Sequence, residues 1–397
     1  MKSILILGAG IYQVPLIKTA KKMGLHTIVA SIPGNYPGFE IADEILYENT
    51  VDYNAILESA KSKNVSGIVT AGTDVAVITI GKVCDALGLR GLSADAAEIA
   101  SNKLLMKQAY EAENVRTARF RQIPAELDNF EDLLEGLEFP LIFKSVDSSG
   151  SRGITKVTDR SQFEEARQNA LNNTRSDFFI VEEFIEGEEF GAQAFVQDGQ
   201  IEFILPHGDY VFKGDTGVPI GHFAPYDLPE EAIEDTKKQL TGAIKSMGLD
   251  NCAINADFIL KDGKCYVLEI GGRSGATCLA ELVAIYYDFD YYEKIIRVAM
   301  GEHVSFAPGP AAAESGVPNA SMLLTSEKSG SIASQTNSNK PDPHIVEIQF
   351  DYNEGDSIRK FNVGPDRIGH VITKGDTLDE AVDSLHDALS NIIIEVH

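Results

Sequence analysis

The chain has 397 residues, 44% of them hydrophobic, with 60 acidic against 34 basic side chains and a formal net charge of -26. That length and apolar content allow two or three domains with cores of their own and exclude a disordered chain. The acidity excludes duplex nucleic acid and anionic membrane as main partners, since both need a basic surface, and no run approaches the roughly 18 apolar residues of a membrane span. Met1-Lys2-Ser3 leads straight into a strand without a cleavable signal pattern, so a cytoplasmic location is expected. The cysteines Cys84, Cys252, Cys265 and Cys278 have no metal-ligand or redox spacing and read as reduced core residues.

Ser3 to Leu7 is the apolar run of a buried parallel strand; Gly8-Ala9-Gly10 turns it into a helix ending near Met23, and Thr27 to Ala30 resumes strand character. Val14 and Pro15 stand near where a third glycine of a dinucleotide fingerprint belongs, and no acidic residue ends the second strand, so a plain strand-to-helix turn is expected, with a dinucleotide-dependent oxidoreductase resting on Gly8 and Gly10 as the alternative. Strand-like Ser66 to Thr70 and helix-like Asp74 to Leu87 extend the pattern into a first α/β domain. A helical pattern from Ala94 to Glu113 carries Lys103, and Arg116 to Ile123 is extended. Phe139 to Lys144 is an apolar strand ended by a lysine, which calls for an anionic partner once buried. The small residues of Ser145 to Gly153 make a loop whose backbone N–H groups can close over phosphates.

Phe178 to Val181 is another buried strand, and the acidic run Glu182 to Phe190 after it suits an amine and sugar hydroxyls, or else forms a solvated turn. Strands continue from Ala192 to Leu205, and His207 to Pro229 reads as a long glycine-rich loop with Gly208, Gly214, Gly217 and Gly221, in which Asp209 and His222 can meet a substrate. Phe258 to Leu260 and Tyr266 to Leu268 form a hairpin about Asp262-Gly263, which brings Asp257 and Glu269 together. Paired carboxylates call for a proton, an arginine or a metal, and a hard divalent ion such as Mg²⁺ fits. A helical stretch runs from Leu279 towards Met300, and Pro308 to Pro343 is a loosely structured passage. Strands near Ile345 to Tyr352, Lys360 to Val363 and Gly369 to Ile372 and an amphipathic helix from Thr377 to Ile392 close the chain.

In this order the motifs resemble the ATP-grasp superfamily, specifically carboxylate-amine ligases near the L-amino-acid ligases and carbamoyl-phosphate-synthase-like proteins, over essentially the whole chain. The resemblance implies an α/β and α+β architecture. An N-terminal βαβ (pre-ATP-grasp) domain would occupy 1–98, a two-lobed ATP-grasp domain 99–305 with a mobile lid about 115–185, and a small α+β C-terminal domain 306–397. The implied activity is an ATP- and Mg²⁺-dependent (or Mn²⁺-dependent) ligase that activates a small-molecule carboxylate as an acyl phosphate and couples it to an amine, with an amino-acid substrate. Bicarbonate or a purine-pathway amine as substrate, and ATP binding without ligase activity, are the alternatives. A homodimer through the first domain is common in the family.

By the same resemblance Lys103 and Lys144 hold the ATP phosphates, and the loop containing Ser149, Gly150, Ser151 and Gly153 closes over them. Glu182 with the backbone of Glu183 and Ile185 meets the adenine edge, and Glu189 takes the ribose hydroxyls. Asp257 and Glu269 hold the metal, Arg273 and Lys144 act at the reacting centre, and His222 with Arg273 borders the substrate. Arg367 to Ile372 with Gly375 to Leu378 is similar to a closing segment of this branch. One position departs: the metal strand reads Glu269-Ile270-Gly271-Gly272-Arg273 where the family has Glu-x-Asn-x-Arg. Gly271 removes the usual third ligand, so water or a backbone oxygen takes its place, or one of two Mg²⁺ ions is held less tightly.

Overall fold

The computed structural model describes residues 2–127, 129–148, 150, 152–212 and 217–397. Strands β1 (Ser3–Leu7), β2 (His26–Ser31), β3 (Glu44–Tyr47) and β4 (Gly67–Val69) form a parallel sheet in the order β3-β2-β1-β4. Being central, β1 buries both faces, which its unbroken apolar sequence permits. Ile4 and Ile6 pack with Leu16 and Ile17 of α1 (Val14–Lys22). Leu5 and Leu7 face the other way, sharing a core with Ile56 of α3 (Tyr53–Ser62) and Val77 of α4 (Val77–Leu87); the short α2 (Pro37–Ile41) lies beside α1.

The expected helix over Ala94 to Glu113 is two, α5 (Ala94–Ala100) and α6 (Lys103–Ala112). Asn102 leaves the helical conformation, and its side chain accepts hydrogen bonds from the N–H groups of Leu104 and Leu105, so a new helix starts at Lys103. Strands β5 (Phe120–Pro124), β6 (Leu141–Lys144) and β7 (Ile154–Val157), helix α7 (Phe163–Asn172) and strand β8 (Phe178–Glu183) build an antiparallel sheet, β5-β8-β6-β7, with a separate core of stacked and edge-on rings of Phe130, Phe143, Phe163 and Phe179.

The chain then runs through β9 (Glu188–Gln197), β10 (Gln200–Val211), β11 (Pro219–Ala224), α8 (Glu230–Met247), β12 (Cys252–Lys261), β13 (Lys264–Gly271), α9 (Leu279–Tyr287) and α10 (Tyr291–Ala299). It ends with β14 (Asn319–Leu324), β15 (Gly330–Asn337), β16 (Ile345–Phe350), β17 (Ser357–Ile358), β18 (Gly369–Lys374), α11 (Leu378–Ser390) and β19 (Ile392–Val396). One eight-stranded sheet, β13-β12-β9-β10-β11-β14-β18-β16, crosses residue 306 without interruption, because β11 pairs antiparallel with β14.

Several expectations are corrected. Much of the glycine-rich 207–229 segment is strand: His207 to Val211 ends β10, and β11 pairs with it, while residues 213–216, Gly214 among them, lie outside the described residues. Gly208 and Gly221 look like loop glycines but accommodate close neighbours within the sheet, a Phe223 ring and the Ser321 backbone. The helical stretch after Leu279 breaks at Asp288, which adopts φ 55° and ends α9. The passage 308–343 contains β14, a short buried strand, and β15, a polar strand whose Ser, Asn and Gln content hides it. Lys360 to Val363 is not a strand, and β19 follows α11 where a helix end was expected. All four cysteines are buried and free.

Candidate active site

The hairpin forms as its turn chemistry requires: Asp262 and Gly263 take φ 50° and 72° between β12 and β13. Asp257 is paired directly with Glu269. Alternation sends Ala256 and Phe258 into the core and Asp257 to the opposite face, where it is exposed in the cleft. Desolvation of the carboxylate by the surrounding protein pushes Asp257 up to about 7, and the Glu269 charge adds to that. A divalent cation would relieve both effects, so the donor set fits a hard metal ion.

Lysines converge on these carboxylates. Lys103, at the start of α6, places Nζ 3.1 Å from Glu269 Oε1 and donates to the Ser148 carbonyl at 2.6 Å. Lys144 donates to Glu182 Oε2 at 2.9 Å, and Lys107, only 1% exposed, has Nζ 3.3 Å from Glu182 Oε1. Thr117 fixes Lys107 further by accepting from it at 2.8 Å. Glu182 is 2% exposed; burial disfavours its charge, but the two lysines overcome that and hold it below the usual carboxylate range. Burial pulls Lys107 down despite this partner, whereas Lys144 ends above its ordinary value because Glu182 outweighs the same penalty. Tyr110, one turn beyond Lys107, is fully buried, and its hydroxyl has no hydrogen-bond partner among the described residues.

Of the other expected site residues, Gly150 and Gly153 have positive φ, and Ser145 N–H donates to the Gly153 carbonyl at 3.0 Å; Ser149 and Ser151 lie outside the described residues. Glu183 is gripped by the Arg119 fork, with Nε donating at 2.8 Å. Ile185 is buried beside Ala118 and Ile259, and Glu189 is exposed on β9 opposite Ile259. Arg273 is not free: its Nε and Nη2 donate to Asp74 at 2.7 and 2.9 Å, and Nη1 to the Ser274 carbonyl at 3.2 Å. A Cβ at Gly271 would stand 3.2 Å from Asp74 Oδ1, so the place of the missing side chain is bordered by a carboxylate of the first sheet's loops. Burial opposes the Asp74 charge, and the Arg273 fork more than compensates. His222, expected on an open loop, is 2% exposed within the large sheet.

A family profile for the ATP-grasp domain matches residues 137–281, and one for L-amino acid ligase C-terminal domain 2 matches residues 322–397. A solved structure of phosphoribosylglycinamide synthetase from Anaerococcus prevotii superposes with a TM-score of 0.86 at 37% identity, covering all of both chains. The chain belongs to the ATP-grasp superfamily, in its carboxylate-amine ligase branch. Among curated ATP-grasp relatives, D-alanine–D-alanine ligase of Pelobacter propionicus is 30% identical over 224 residues, 54% of this chain and 70% of the relative. Alanine–anticapsin ligase of Bacillus subtilis is 27% identical over 227 residues, 52% of this chain and 48% of the relative, so the match spans about half the length of that ligase.

Sequence reasoning missed Lys107, Tyr110 and Asp74, which the structure brings beside the expected site residues. The signal for the first two was present: Lys103, Lys107 and Tyr110 recur at i, i+4, i+7, one face of α6. Asp74 gave no such signal, because its partner Arg273 lies 199 residues away.

Proposed function

We propose that the chain is an ATP- and Mg²⁺-dependent carboxylate-amine ligase with an amino-acid substrate. A substrate carboxylate attacks the γ-phosphorus of ATP to give an acyl phosphate and ADP; an amine then attacks the acyl carbon, and phosphate leaves. The observation that carries this reading is the meeting of the carboxylate pair Asp257 and Glu269, which has Lys103 at Glu269, with Lys107 and Lys144 at Glu182 on neighbouring elements. Lys103 and Lys144 would bind phosphate oxygens, and loop 148–153 would cover them and keep water from the acyl phosphate. Asp257 and Glu269 would hold Mg²⁺, which when bound neutralises phosphate charge. Glu182, with the backbone of Glu183 and Ile185, would border the adenine, and Glu189 the ribose. Arg273, oriented by Asp74, would place positive charge near the reacting centre, and His222 would border the substrate.

In this reading residues 1–98, 99–305 and 306–397 are the pre-ATP-grasp, ATP-grasp and C-terminal domains, with a lid about 115–185 and self-association through the first. Among the described residues no helix is long and apolar enough to cross a membrane, and a cytoplasmic enzyme is proposed. A purine-pathway amine is the second reading, favoured by the 37% identity to phosphoribosylglycinamide synthetase. Phosphate release from Mg-ATP across a panel of amino acids, bicarbonate and other carboxylates, with product masses, tests both. Thermal stabilisation by NAD(P) and not by Mg-ATP would overturn them.

A further inference from the structure

A second polar cluster lies on the large sheet away from the lysines. His207 and Asp209 are two apart on β10, so their side chains leave the same face, and β11 sets His222 directly opposite Asp209. Both imidazoles address one oxygen: His207 Nδ1 is 2.9 Å and His222 Nδ1 2.6 Å from Asp209 Oδ1. The imidazoles are sealed, at 3% side-chain exposure each, while Asp209 keeps 26%. Among the described residues no donor is paired with Asp209 Oδ2.

Gln193 decides the tautomer of His207. Its Oε1 accepts from the Gly275 N–H at 3.0 Å, so its amide nitrogen is the atom 3.4 Å from His207 Nε2. That nitrogen can only donate; Nε2 therefore accepts, and the ring proton sits on Nδ1, directed at Asp209. Burial lowers the basicity of His222, so it too is a neutral ring giving Nδ1–H to the same oxygen. Burial disfavours the charge on Asp209, while the hydrogen bonds that the two Nδ1–H groups give to Oδ1 favour it, and the carboxyl stays below the usual carboxylate range. Register places His207, two residues before this anion, near the metal pair: His207 pairs with Gly191, Gly191 with Asp257, and Asp257 with Glu269. Gly191 is required there, because a Cβ would collide with the His207 ring, which lies across the gap towards Asp257. Strands about 4.8 Å apart set the β10 backbone roughly 10 Å from Asp257.

We propose that Asp209 is the carboxylate that receives the amine substrate as a primary ammonium, with His207 and His222 as positioning residues that fix Oδ1 and leave Oδ2 to accept N–H donors. The inference rests on the ligase reading. The ammonium loses one proton to solvent before its nitrogen attacks; the C–N bond forms as the acyl C–O bond breaks, phosphate departs with the electron pair, and the nitrogen gives its second proton to the departing phosphate. The three side chains also lie within 4.8 Å of one another, a spacing that suits a small cation, but the proton on His207 Nδ1 opposes metal ligation.

Hydroxylamine separates these possibilities, because it is uncharged at neutral pH and traps acyl phosphates without needing an ammonium site. Asp209→Asn is assayed with Mg-ATP and the best carboxylate of the panel, against hydroxylamine and against the amino acid that the wild type couples fastest. Hydroxamate formation should stay within about threefold, while KM for the ammonium-bearing nucleophile rises on the order of 100-fold. His222→Ala should raise the same KM, and His222→Gln, which retains a donor, should recover part of it. An unchanged KM in Asp209→Asn, equal loss with both nucleophiles in a natively melting variant, or Zn²⁺ binding by calorimetry that Asp209→Asn abolishes would overturn the assignment. Wild-type protein that forms no hydroxamate with any carboxylate would sink the ligase reading itself, and this inference with it.

Discussion

Two charged clusters in the site are balanced in opposite senses. At Asp257 and Glu269 two carboxylates are paired across neighbouring strands, and one lysine, Lys103, meets Glu269. At Glu182 one carboxylate is sealed between two lysines, Lys107 and Lys144. The first arrangement carries surplus negative charge and suits a cation; the second could not exist without its internal counterions, and its surplus positive charge suits an anion. In the proposed reading a nucleotide with its metal would join the two sets of charges, neither of which is neutral alone.

The sharpest way to break this contrast is Glu182→Ala, which leaves two buried ammonium groups without their acid. It should cost about 3–5 kcal/mol of stability, measured by denaturant unfolding, because removal of one partner strands a buried charge. An effect below ~1 kcal/mol would mean that water reaches the lysines. Glu269→Ala, at the open cluster, should by contrast leave the fold intact and reduce amine-dependent phosphate release on the order of 10²–10³-fold. Undiminished turnover in the folded variant would exclude Glu269 from the metal site.

The smallest effect concerns protons. With its pKa raised to about 7, Asp257 must give up a proton before it can bind a cation. Apparent Mg²⁺ affinity should therefore fall about tenfold per unit as pH drops below 7 and level off above it, as read by calorimetry. The sign for stability is opposite. Between the ordinary carboxylate pKa and about 7 the metal-free fold holds a proton that the unfolded chain has released, so it loses stability as pH rises through that window, and Mg²⁺ should abolish the dependence. Mg²⁺ affinity that does not vary across the window would place the ion elsewhere.

The parts of this site that could be read without the structure share one property: their meaning is local. Asp262-Gly263 specifies a tight turn, and a tight turn specifies that Asp257 meets Glu269. Lys144 at the end of an apolar strand is conspicuous because period-two alternation tells which residues are buried. Local signals failed where composition misled. Gly208 and Gly221 suggested a loop, although they serve close packing within a sheet, and the polar β15 has too few apolar residues to alternate.

The sequence by itself determined the βαβ start, the hairpin with its paired acids, the lysine-ended strand and the order of motifs that places the chain among ATP-grasp proteins, since each depends on residues close together in the chain. Tertiary structure alone decided that Asp74 takes the Arg273 fork beside Gly271, that Lys107 shares Glu182 with Lys144, that two histidines clamp Asp209, and that one sheet runs from the metal strands into the C-terminal region. Periodicity tells a side chain which face it occupies; only the packing of elements distant in sequence tells it which charge it will find there.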